Sequence, residues 1–248
     1  MENKSLFPTE EVTLPSKGLI YPKDNPLSKG VLEMKYMTAK EEDILTNESY
    51  IKNGTVIDKL LQSLIVTPIN YNDLVIGDKN AIMVAARVLG YGKDYTFEYG
   101  GKEQTVDLTE VKDKELKEEH LIESSKNEFE YILPILKKSI TFKLLTHSDE
   151  KKILKELEGI KKIQNERSEL TTRLKHMILS VDGDYERKTV REFVDTNLLA
   201  RDARAIRSYI KEIQPDVDLV FDLENEAGDV KGVKIPIGIT FFWPDSEL

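Results

Sequence analysis

The sequence contains no cysteine. That excludes disulfides, thiolate metal sites and cysteine nucleophiles at once, and it points to a reducing compartment. Long apolar runs are also missing. The best, Leu60-Leu61-Gln62-Ser63-Leu64-Ile65-Val66, falls far short of the roughly 20 residues that cross a bilayer. Met1-Glu2-Asn3-Lys4-Ser5 lacks the apolar core of a signal peptide, so expression in a cytosol is expected. A basic excess is absent: 36 Lys+Arg stand against 45 Asp+Glu, a formal charge of -9. Such a balance disfavours a nucleic-acid backbone as partner and helps keep the free chain soluble.

Catalytic signatures are missing too. The three histidines, His120, His147 and His176, show no ligand spacing, and H-E-x-x-H and G-x-S-x-G do not occur. Gly90-Tyr91-Gly92-Lys93 is not a phosphate loop, because G-x-x-x-x-G-K-[ST] is unmet; it reads as a helix stop. Asp182-Gly183-Asp184 lacks the other ligands of a calcium loop and reads as a turn. His147, between a strand and a helix start, reads as a packing or capping residue. No catalytic residue, metal site or cofactor is therefore expected, although a metal-assisted hydrolase built on carboxylates and His147 is the enzymatic alternative.

What is present is a 248-residue chain, 40% hydrophobic and 33% charged, long enough to bury a real core. Its pattern predicts an α+β fold with an N-terminal helical cluster, two β-ribbons forming antiparallel sheet, and one long central helix. Residues 1–30 carry Pro8, Pro15, Pro22 and Pro26 with interleaved apolar residues, which suits an extended arm lying on its own chain or on a partner. Residues 31–92 form a small helical domain. A short strand at 31–37 precedes a capping box at Thr38 to Glu41, and helices follow at 55–66 and from about Asp78 to Leu89. Residues 93–147 are a β region. Two alternating strands flank Gly100-Gly101, a strong hairpin signal, and strands are expected at 129–133 and 139–145.

Residues 148–215 form a helical region. Ile153, Leu157, Ile160, Ile163, Leu170, Leu174 and Met177 predict a helix from Ser148 to about Ser180, some 50 Å long at ~1.5 Å per residue, with a possible bend at Gly159. Its stripe either packs on its own sheet or pairs with a partner. Shorter helices are expected at 189–193 and 198–213. Residues 216–248 form a C-terminal ribbon that packs with the first. It ends in Phe241-Phe242-Trp243-Pro244, which carries the single Trp; such a cluster either closes the core or anchors an interface.

Several of these segments together resemble a known family. Leu14-Pro15-Ser16-Lys17-Gly18-Leu19-Ile20-Tyr21, then Met34 through Leu45, Gly54 through Leu61, Thr141 through Thr146 and Phe241 through Asp245 look like the T-even-type phage baseplate hub assembly proteins. The order of these motifs carries the likeness, which spans Leu14 to Asp245. It implies a non-enzymatic protein that helps build the hub of a contractile tail by binding other hub or tape-measure proteins. That protein is either a chaperone-like factor in the host cytoplasm or a permanent subunit of the virion baseplate. Some relatives carry Cys pairs at their ribbon tips; the tips here, Gly100-Gly101-Lys102-Glu103 and Glu224 to Gly228, have none. Leu14, Pro15, Leu19 and Tyr21 of the arm, with Phe241, Phe242, Trp243 and Pro244 of the tail, are the expected partner-binding residues.

Overall fold

The computed structural model describes residues 8–164, 168–223, 230–237 and 241–243. The N-terminal arm is a strand that folds back on its own chain. β1 (Thr9–Thr13) pairs antiparallel with β2 (Val31–Lys35), Thr9 opposite Lys35 and Thr13 opposite Val31. The intervening loop crosses itself where Gly18 and Gly30 take left-handed backbones (φ 76° and 71°). A Cβ at Gly18 would lie 2.3 Å from the Ser28 carbonyl oxygen. The loop buries Leu14, Ile20, Tyr21 and Leu27.

The helical cluster follows. Glu41 reaches back to the Thr38 backbone N–H (3.0 Å) and hydroxyl (2.6 Å), which starts α1 (Ala39–Leu45) where the capping box predicts it. α2 (Glu48–Lys52), missed by periodicity because a five-residue helix has no stripe to read, leads into α3 (Val56–Leu64). α3 buries Val56, Leu60, Leu61 and Leu64. α4 (Ile76–Tyr91) runs through Gly90 and stops at Gly92, whose φ is 85°.

Gly77, in the first turn of α4, sits against the backbone of Pro215; a Cβ there would meet the Pro215 carbonyl oxygen at 1.7 Å. Gly77→Ala is therefore expected to lose about 1–3 kcal/mol, the usual cost of overpacking, because neither contacting segment is a flexible side chain. Urea denaturation checks this, and an unchanged midpoint would mean that α4 does not dock on residue 215.

The first ribbon is β3 (Asp94–Tyr99) and β4 (Lys102–Asp107). Tyr99 pairs with Lys102, leaving Gly100 and Gly101, both at positive φ, as a two-residue turn. β5 (Lys112–Lys114) pairs with β9 (Asp216–Asp218), stitching the middle of the chain to its end. β6 (Phe129–Ile132), β7 (Ser139–Phe142) and β8 (Ile178–Val181) form an antiparallel sheet in that order.

The long helix is two helices. α5 (His147–Gln164) and α6 (Glu169–Met177) double back, because Arg173 on α6 pairs with Glu150 at the start of α5 at 2.6 Å. In one straight helix those residues would stand about 35 Å apart. α5 continues through Gly159 without a break. Thr146, not Ser148, caps α5: its N–H and hydroxyl donate to Asp149 while its hydroxyl also accepts from the Asp149 N–H. α7 (Arg187–Glu192) continues into a π-helical turn at Phe193–Asn197, and α8 (Ala200–Ile213) follows.

The second ribbon is β10 (Val220–Leu223) and β11 (Val230–Lys234), and it packs on the first. Phe97 meets Phe221 edge-on at 5.3 Å, Tyr95 meets Phe241 at 5.0 Å, and the Tyr95 hydroxyl donates to the Pro236 carbonyl at 2.8 Å. On the three-stranded sheet, Phe129 stacks on Phe142, and Tyr131 stacks on Tyr209 of α8 at 4.7 Å. The architecture is α+β, and buried side chains from all five sequence segments join one hydrophobic cluster.

Candidate functional site

α8 carries two faces. Ala203, Ile206, Ile210 and Ile213 recur at helical spacing and are buried, while Arg201, Arg204, Arg207 and Lys211 form an exposed stripe beside them. Asp202, fully buried in the first turn, accepts the backbone N–H groups of Ile135 (2.8 Å) and Leu136 (3.1 Å) and so clamps the β6–β7 turn to α8. Its charge is used there, which leaves the exposed side of α8 basic.

Where that face meets α6, the start of α4, Pro215–Val220 and Ile235, a groove of about 740 Å³ opens. Leu174, Met177, Ile210, Val217 and Ile235 give it an apolar floor, and Leu170, 42% exposed, stands at its margin. Five cations line it, Lys114, Arg173, Arg207, Lys211 and Lys234, against the three carboxylates Glu150, Asp216 and Asp218. Glu150 is taken by Arg173, whose pKa it raises above the ordinary value, and Asp216 accepts the Asn80 amide at 2.8 Å. The Lys114 ammonium donates to the Lys211 carbonyl. Arg207, Lys211 and Lys234 are exposed and have no ion-pair partner among the described residues. A local excess of two positive charges on a chain of -9 is the electrostatic signature of this site.

One wall of the groove is held by the N-terminal arm. Asp78 of α4, completely buried, accepts the Ser16 N–H (2.9 Å), the Ser16 hydroxyl (2.7 Å) and the Tyr21 hydroxyl (2.6 Å); the Tyr21 oxygen in turn accepts the Val75 N–H (3.1 Å). Val75, Ile76 and Gly77, the three residues that precede Asp78, line the groove. Burial pushes the Asp78 carboxyl up to about 6 and raises the Tyr21 phenol well above its usual value.

The residues expected to bind a partner lie elsewhere. Leu14, Pro15 and Tyr21 are buried in the arm's own packing, and Leu19 is half-buried. Phe241 is buried against Tyr95 and Phe242 against Phe241, and Trp243, half-buried, donates its indole N–H to the Leu45 carbonyl at 3.2 Å. Pro244 lies outside the described residues. Arm and tail therefore close this chain's core at two separate places, and the buried members have no surface to offer a partner. Sequence reasoning missed the groove. Its findable signal was the cationic stripe of α8, which periodicity places beside the apolar one.

The histidines serve packing. His147 lies edge-on to Tyr71 at 4.8 Å with its Nε2 3.6 Å from Asp58, and burial holds its imidazole below the usual value. Asp58 already pairs with Lys79 (2.6 Å) and accepts the Tyr71 hydroxyl (3.0 Å). His176 bonds Glu156 at 2.9 Å. Among the described residues no three His, Asp or Glu side chains converge so as to hold a metal ion, and no helix is long and apolar enough to cross a membrane. Comparison with known proteins found no matching family model, no matching curated protein and no matching solved structure.

Proposed function

We propose that this chain is a non-enzymatic assembly protein that holds another polypeptide in the groove between α6 and α8, in building the baseplate hub of a contractile phage tail. The observation that carries the binding role is the groove: a largely apolar lining in which Leu170 is exposed and Ile76, Leu219 and Val220 half-buried, beside three exposed cations, Arg207, Lys211 and Lys234, that have no ion-pair partner among the described residues. Open concave apolar surfaces with a polar rim are how proteins receive partner segments. The tail context rests on the ordered motifs from Leu14-Pro15-Ser16-Lys17-Gly18 to Phe241-Phe242-Trp243 that resemble the hub assembly proteins.

Co-expression with hub and tape-measure proteins, followed by pull-down, tests the reading. At least one of them is expected to co-purify, and a clean monomer that captures none would remove the proposal. Mass spectrometry of purified particles then sorts a factor that leaves from a subunit that stays, by its absence or stoichiometric presence.

A further inference from the structure

We infer that the segment received by the groove is acidic and amphipathic: an apolar stripe flanked by Asp or Glu. The inference rests on the polypeptide-binding reading above and adds the chemistry of the partner. The protein as a whole repels acidic molecules, since its formal charge is -9. The groove reverses that locally, with Arg207 and Lys211 from α8 and Lys234 from β11, all exposed and without ion-pair partners among the described residues. A basic partner would find Arg207, Lys211 and Lys234 opposing it. A purely polar acidic chain would leave the accessible apolar lining, Ile76, Leu170, Leu219 and Val220, uncovered. An apolar stripe with carboxylates at its margins satisfies floor and rim together, and complementary rim charges act mainly on encounter rate and salt dependence.

Fluorescence anisotropy on the full chain tests this with three labelled synthetic helical peptides. One has a leucine stripe flanked by glutamates, the second has lysine in place of every glutamate, and the third keeps the glutamates but has glutamine in place of leucine. The first is expected to bind at least about tenfold more tightly than the other two, and to weaken about tenfold between about 50 and about 500 mM salt. The variant R207E/K211E should lose about tenfold in affinity for the first peptide, while K40E/K188E, the same charge change on exposed residues outside the groove, should not. Circular dichroism confirms that both variants fold, and the salt series on the unaltered protein stands independently of them.

Equal binding of the acidic and basic peptides would overturn the inference. So would competition by an oligonucleotide with full displacement, or concentration-dependent self-association through the groove in light scattering. The two levels separate cleanly. R207E/K211E that still captures its tail partner refutes the groove chemistry and leaves the assembly role intact, whereas unaltered protein that captures none refutes the role.

Discussion

A chain ended after Thr240 is expected to be unfolded at room temperature, or to melt tens of degrees below the full-length protein. Phe241 is fully buried and Phe242 is 2% exposed, and the two rings meet edge-on at 5.1 Å. Phe241 also fills the space beside Tyr95, which ties the first ribbon to the residues before the tail through its bond to the Pro236 carbonyl. A buried Phe→Ala change costs about 3–5 kcal/mol, so losing both rings removes about 6–10 kcal/mol. Whole domains are stable by only about 5–15 kcal/mol, so the deletion consumes most of that margin. The single variant Phe241→Ala should remain folded but lose about 3–5 kcal/mol, a fall of roughly 6–20 °C in Tm for a chain of this size. Thermal melts followed by circular dichroism decide the matter. A truncated chain melting within a few degrees of the full one would mean that the tail does not close the core.

The sequence was most legible where structure is decided locally. Gly100-Gly101 needs two consecutive positive φ values, which glycine alone adopts freely, so hairpin and register follow from the pair itself. The capping box at Thr38 and the stripes of α3 and α8 are equally short-range. Legibility failed where a distant partner decides. The helix expected to about Ser180 takes in Ile178, and Val181 reads as the start of the turn that ends it, yet pairing with Phe142 and Ile140 on β7 makes both part of β8. β1 is a strand because β2 lies opposite it across a loop whose prolines hide the alternation. The arm and tail aromatics illustrate a second limit. Burial and interface use demand the same residue types, so composition alone could not say that Tyr21 and Phe241 face inward. The groove was harder still, since its lining comes from residues 75–77, 114, 144–150, 170–177, 207–220 and 234–235 and no single window contains the pattern.

Asp78 offers the second large effect, and one whose sign is informative. Replacing it with alanine is expected to cost about 3–5 kcal/mol, because the Ser16 N–H, the Ser16 hydroxyl and the Tyr21 hydroxyl all lose their acceptor in a site closed to water. Its carboxyl titrates near 6 in the folded chain against an ordinary 3.8. Below about pH 4 the group is protonated in folded and unfolded chains alike. Between about 4 and 6 the unfolded chain releases the proton while the folded chain keeps it, so rising pH favours unfolding through this residue. A gap of about two units corresponds to about 3 kcal/mol, lost in full by neutral pH. Asp78→Asn cannot titrate, and its own fixed cost cancels when one pH is compared with another. The stability of the unaltered protein relative to D78N should therefore fall by about 3 kcal/mol between about pH 4 and pH 7, read from urea denaturation at each pH. The comparison also isolates Asp78 from carboxyls that act in the opposite sense, such as Asp107, which hydrogen bonding to Lys93 holds down at about 2. A difference independent of pH would mean that water reaches Asp78. The arm would then not seal the first turn of α4, and the wall that Val75–Gly77 gives the groove would have to be held some other way.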